Sequence, residues 1–265
     1  MTPSTERGRA RQVLALLLAA YAVLSVLLVG QWAPSWFYPL AVPVLTVLAT
    51  AAAWLHAAGQ MGARRARAFF ALTFVVGLLL ETAGVRTGWV FGPYHYTDKL
   101  EWQFFGLVPV LIPLAWFMMM YPTWLIARRW LGTLMARPPR WLVAAVGGLI
   151  MTAWDVLMDP IMVYLGHWVW QRPGAYFGIP FHNFVGWWGM TFITLWLFET
   201  VWKPPVPKET PTAPLRWGVL VYVLLGASNL AIALRLGLVG PAVAGFWAML
   251  PWAVVGWLSA RPSAR

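Results

Sequence analysis

Three carboxylates, Glu81, Asp155 and Asp159, lie in stretches of this sequence that are otherwise nearly free of charge. A charged group near the centre of a bilayer costs at least ~2.5 kcal/mol, so it is kept mainly where it works or is paired. Asp155 and Asp159 are four residues apart, about one helical turn, and therefore share a face. Two carboxyl groups facing one dry cavity resist ionising together, and one is expected to hold a proton at neutral pH. A general acid needs that state. A structural account competes: Arg86 could neutralise Glu81 or an aspartate, and Asp159 could satisfy backbone freed at Pro160. Three carboxylates on one side of the membrane favour a working site, with Asp155, Asp159 and Glu81 as its catalytic candidates.

Polar and aromatic residues gather beside them. Glu81 opens E-T-A-G-V-R-T-G-W-V-F-G-P-Y-H-Y-T at 81–97, the aspartates lie in W-D-V-L-M-D-P at 154–160, and G-I-P-F-H-N-F-V-G-W-W follows at 178–188. Tyr94, Tyr96, Trp154, Trp168, Trp170, Trp187 and Trp188 could surround a long apolar substrate and stabilise a cation with their ring faces. Interfacial anchoring is the simpler role for many of them. The candidate substrate-binding set is Arg86, Tyr94, Tyr96, Trp154, His182, Asn183, Trp187 and Trp188. His95, His167 and His182 could converge on a metal, yet none of them shares a helical ligand spacing, so interfacial hydrogen bonding is the plainer reading and no metal is expected. His56, at the other end of its span, is expected to snorkel. Gly84, Gly88 and Gly92 suit turns and close helix contacts, since no phosphate-binding loop pattern accompanies them.

Long apolar elements must position these groups. Of 265 residues, 61% are hydrophobic and 10% charged, where a soluble domain carries about 25% charged residues; the mean hydropathy is +0.68. The chain has no cysteine, which excludes disulfides and thiol catalysis. Eight runs approach the length needed to cross the hydrocarbon core: 13–30, 36–58, 68–85, 104–127, 141–165, 183–202, 217–236 and 241–259. The first lacks a small-residue cleavage site and leads straight into the second, so it reads as a retained anchor. With a cytoplasmic N-terminus, all of the 19 basic residues except Arg86, Lys99, Arg172 and Arg235 fall inside. The expected fold is therefore an all-α polytopic integral membrane helix bundle of about eight transmembrane helices, with both termini cytoplasmic. The net charge of +11 reflects this placement and implies no nucleic-acid partner. Residues 1–265 read as one transmembrane domain. Helices three to six (68–202) form its catalytic core, the Pro-rich 203–216 a stiff cytoplasmic linker, and 217–259 a terminal helix pair. No internal repeat is evident.

The three motifs, in that order, resemble the CruF-type carotenoid hydratases, a family that includes the bisanhydrobacterioruberin hydratases and the monocyclic-carotene 1',2'-hydratases. The resemblance runs from about residue 68 to 202. It implies cofactor-independent addition of water to the terminal C1=C2 bond of an acyclic carotenoid end group, giving a tertiary alcohol. Its partners would be a long apolar carotenoid, water and membrane lipid, with possible contacts to other carotenoid enzymes. The expected location is the cytoplasmic membrane, with the site towards the outer leaflet. The chemistry suits the residues. Protonation at C2 leaves a tertiary cation at C1, Asp155 and Asp159 would form the acid and base pair with their order open, Glu81 and Arg86 would tune them, and a second carboxylate, Asn183 or Tyr94 would position the water.

Other readings stay open. A carotenoid end-group cyclase would capture the same cation with an internal double bond. A UbiA-like prenyltransferase would use the Asp-x-x-x-Asp spacing for magnesium diphosphate, but needs a second Asp-rich helix where this chain has only Glu81. A non-catalytic lipid or pigment binder or transporter would use the carboxylates for proton coupling.

Overall fold

The structure, a computed structural model, describes residues 3–100 and 102–260, with side chains from Gly8 onward. The Arg7 side chain, Arg261 and Arg265 of the charge argument lie outside the described residues.

Eight long helices follow one another: α1 (Pro3–Val29), α2 (Ala41–Met61), α3 (Ala63–Thr87), α4 (Leu111–Leu134), α5 (Arg140–Tyr164), α6 (Phe181–Val201), α7 (Leu215–Arg235) and α8 (Val239–Ser259). Seven of them, all but α4, are long and apolar enough to cross a membrane. The protein is an all-α polytopic membrane bundle, as its sequence leads one to expect. Two prolines, Tyr121, Thr123 and a pair of arginines dilute α4. It tolerates them because it is central: it packs against α2, α3, α5, α7 and α8, and every residue of 116–127 is buried.

Cross-links between helix ends identify the two ends of the bundle. Arg129 near the end of α4 donates to the Ser259 carbonyl at the end of α8 (2.6 Å). Arg235 at the end of α7 reaches the Val29 carbonyl at the end of α1. An aromatic layer lies between the ends, with Phe69 stacked on Phe198 at 4.1 Å and Phe117 and Trp124 edge-on to Phe69.

Several boundaries differ from the apolar runs. The arginines at 64, 65 and 67 occupy the first turns of α3, because Gly62 alone (φ 84°) separates it from α2. Residues 104–109 leave the fourth run and, with Gln103, form a small hairpin, β2 (Gln103–Phe104) with β3 (Val108–Pro109); Gly106 at φ 65° makes its turn, and α4 extends past Arg128 and Arg129 instead. The Pro-rich segment lies along α2, where Gln60 donates to the carbonyls of Lys208 (2.8 Å) and Ala213 (2.6 Å). His56 does not snorkel. It is fully buried, its ring nitrogens bonded to Tyr121 Oη (2.6 Å) and the Pro214 carbonyl (2.9 Å), because the folded segment covers that end of α2. The last two helices pack into the bundle: α7 on α1, α2, α4 and α5, and α8 on α4 and α5.

Two loops at the other end join in a short antiparallel ribbon, β1 (Tyr94–Tyr96) with β4 (Trp168–Trp170), pairing Tyr94 with Trp170 and Tyr96 with Trp168. Alternation along a strand sends every second side chain the same way. Tyr94, Trp168 and Trp170 are accordingly buried, while His95 and Val169 face outward.

Candidate active site

The carboxylates are held from four directions. Asp155 and Asp159 project from α5 at 0% and 1% exposure. Asn183, in the first turn of α6, donates through Nδ2 to Asp155 Oδ2 (2.9 Å) and Asp159 Oδ2 (2.6 Å). Trp168 of β4 donates Nε1 to Asp159 Oδ1 (2.7 Å). Asp159 therefore spends its oxygens on Trp168 and Asn183 rather than on backbone freed at Pro160, and α5 continues through that proline to Tyr164.

Glu81 has a separate set of donors. Trp116 of α4 donates Nε1 to Oε1 (2.8 Å), while Tyr96 Oη (2.9 Å) and Tyr94 Oη donate to Oε2. Burial, followed by the neighbouring Glu81 charge, holds both phenols well above the ordinary tyrosine range. They remain donors. Tyr96 also packs edge-on to Trp168 at 5.9 Å, so the ribbon couples the Glu81 network to Asp159.

Between these groups lies a largely apolar cavity of about 140 Å³. Glu81, Asp159 and Asn183 line it together with Tyr94, Tyr96, Trp154, Trp168, Trp170 and Trp187. Trp187 packs tilted against Trp116 at 4.1 Å and meets Trp154 at 5.9 Å. The Trp154 Nε1 is buried without a hydrogen-bond partner among the described residues, a free donor beside the carboxylates. Asp155 is not part of the lining; it stands beside Asn183, with Oδ1 buried and without a partner among the described residues.

Three expected neighbours are elsewhere. Arg86 is exposed and has no hydrogen bond or ion pair among the described residues; five residues along a helix is about 140° around it, which turns Arg86 away from Glu81. His182 is exposed one position before the inward Asn183. Trp188 packs over Gly148, stacks on Phe192 at 5.1 Å and donates to the Ala145 carbonyl (3.1 Å). The histidines do not converge: among the described residues no group of three His, Cys, Asp or Glu side chains could hold a metal. His167 sits on the rim, where burial and then the Lys99 ammonium depress its pKa below the ordinary histidine value.

The sequence reading missed Trp116 and the far wall of the cavity. That wall consists of Tyr21 of α1, Thr46 of α2 and Ser228 and Asn229 of α7. A buried Ser-Asn pair in a long apolar run was the available signal, of the same kind that singled out the carboxylates. The glycines do as expected: Gly88 closes α3 at φ 69°, Gly92 turns at φ 99°, and a Cβ on Gly84 would come within 2.9 Å of the Phe91 ring, which packs closely on α3.

Residues 41–251 match the model of a family described as carotenoid biosynthesis protein. The bisanhydrobacterioruberin hydratase of Haloarcula japonica is 29% identical over 120 residues, which take in 45% of this chain and 40% of that relative's length. No solved structure matches. Four-fifths of the sequence thus aligns with one family, across all the elements that build the cavity except α1, and the chain belongs to the carotenoid biosynthesis protein family.

Proposed function

We propose that this protein adds water to the terminal C1=C2 double bond of an acyclic carotenoid end group. One observation carries the reading: a small apolar cavity has Asp159, Glu81 and Asn183 in its wall. Family membership and the hydratase relative support the substrate class and the reaction.

Asp159 is the acid, because of the two aspartates only it lines the cavity. Its O–H bond breaks as the π electrons form the C2–H bond, leaving a tertiary cation at C1. The faces of Trp154 and Trp187 and the negative charge on Glu81 stabilise that cation. Water attacks C1, and the proton it sheds restores the carboxyl group. The net change is one water added, with no electron transferred and no cofactor required. Asp155 and Asn183 hold the acid in place, and Trp154 Nε1 is available to the water or to the new hydroxyl. The core of this chemistry is helices α3 to α6, with residues 203–216 facing the cytoplasm, both termini inside and the site towards the outer leaflet of the cytoplasmic membrane.

Expressing the gene in a lycopene-accumulating host and weighing the pigments tests the reading. A product heavier by one water supports hydration. A new pigment of unchanged mass marks end-group cyclisation instead, and unchanged pigment sinks both.

A further inference from the structure

The cavity is too small for the whole substrate proposed above. A space of about 140 Å³ suits a group about the size of benzene, whereas a carotenoid is a rod about as long as the bilayer is thick, ~30 Å. The remaining polyene must lie outside the cavity.

Outside the cavity wall, between α1 and α7, runs an apolar groove of about 340 Å³, flanked by Val26 and Val29 on one side and Ala227 and Ala231 on the other. Tyr21 and Ser228 line both the cavity and the groove. They are hydrogen-bonded to each other at 2.8 Å, so this side-chain pair stands where the two spaces meet. A second outer groove, beside Trp54 and Phe70, shares no residue with the cavity. The α1 helix packs chiefly on α2 and α7, and its seam with α7 carries the small alanines just named.

We infer that the α1–α7 groove binds the polyene chain of the substrate whose end group occupies the cavity, and that the Tyr21–Ser228 pair is the gate between them. The inference rests on the substrate being a long acyclic polyene. Entry is lateral, from lipid: the two hydroxyls part, the end group passes, and the chain remains along Ala227 and Ala231.

Two measurements test it. Ala227→Trp fills the groove from its exposed side without touching the cavity. Hydration of lycopene should fall roughly tenfold or more, while a short acyclic olefin ending in the same dimethylvinyl group keeps its rate within about twofold. Leu79→Trp, on the exposed face of α3, should change neither. Because the chain has no cysteine, Ala227→Cys and Leu79→Cys each accept a single nitroxide label. Adding lycopene in phosphatidylcholine nanodiscs should immobilise the label at 227 and leave that at 79 unchanged. Unaltered mobility at 227 means that ordinary lipid fills the groove and overturns the inference, as does an Ala227→Trp protein that hydrates lycopene at the parent rate. If the tryptophan variant loses both substrates, the label decides. Immobilisation without any product from the parent protein would instead sink the hydration reading and keep the groove.

Discussion

Asn183 donates its side-chain amide to Asp159 at 2.6 Å, and the same nitrogen reaches Asp155 at 2.9 Å. Both hydrogens of the amide are then used, and the group stands as a wedge between two acidic side chains. Asn183→Leu keeps similar bulk but leaves both carboxyl groups without that donor, at about 1–3 kcal/mol for each buried group. Lower thermal stability in detergent, together with lost hydration, is the expected outcome. An Asn183→Leu protein with parental melting and turnover would remove the wedge from the mechanism.

Asp159→Asn should lower hydration by about 10²–10⁴, the range for loss of a general acid, while the protein still folds. Asp155→Asn should cost less, since Asp155 does not line the cavity. Pigment ratios from matched expression levels give the ranking, and equal losses would argue that the pair works as one unit.

Trp116→Phe removes the donor to Glu81 Oε1 but keeps a ring near Trp187. A destabilisation of about 1–3 kcal/mol follows from the unpaired buried oxygen. Tyr94→Phe and Tyr96→Phe each leave Oε2 with one phenol donor, so either single change should be milder than the double one. Thermal unfolding of the single and double variants measures the difference.

Burial, then the Asp155 charge, pushes the Tyr176 phenol up to about 12, and Tyr94 and Tyr96 move in the same direction. The folded values lie above the unfolded value of about 10. Their contribution to stability is therefore complete below pH ~10 and is lost as pH rises through the folded values. Ultraviolet titration of the folded protein should leave these three phenols protonated at pH ~11, and Tyr→Phe variants identify which signals are theirs. Ionisation of Tyr94 and Tyr96 near pH 10 would contradict the buried Glu81 network.

A cysteine at the outward His95 should react with a membrane-impermeant maleimide added to intact cells. One at Arg137, between α4 and α5, should react only after permeabilisation. The opposite pattern would invert the orientation and move the site to the inner leaflet.

The helix count and the carboxylates were legible because each follows from a local cost: about 20 apolar residues to cross, and a charge that apolar surroundings penalise. Helix geometry also carries Asn183 and Trp187, four apart, onto one face, and it turns Arg86 away from Glu81. What the sequence hid depends on the pairing of distant segments. Tyr-His-Tyr and Trp-Val-Trp each alternate as strands do, but three residues are too few to announce a strand, and only their mutual register aims Tyr96 at Glu81 and Trp168 at Asp159. Trp116 was indistinguishable from an interfacial anchor until α4 was seen at the centre of the bundle. The wall from α1 and α7 lay outside the helices expected to form the core.

The ribbon of β1 and β4 joins segments separated by the whole of α4 and α5. In order of synthesis Glu81 precedes Trp116, and both aspartates precede Asn183 by more than 20 residues. The lateral wall comes later still, since Tyr21 waits for Ser228 on the seventh helix. Each acidic group thus depends on a partner made after it, and a ribosome-stalled chain ending before α6 would carry its carboxylates without their wedge. The site is consequently complete only once the seventh helix has been added to the first six.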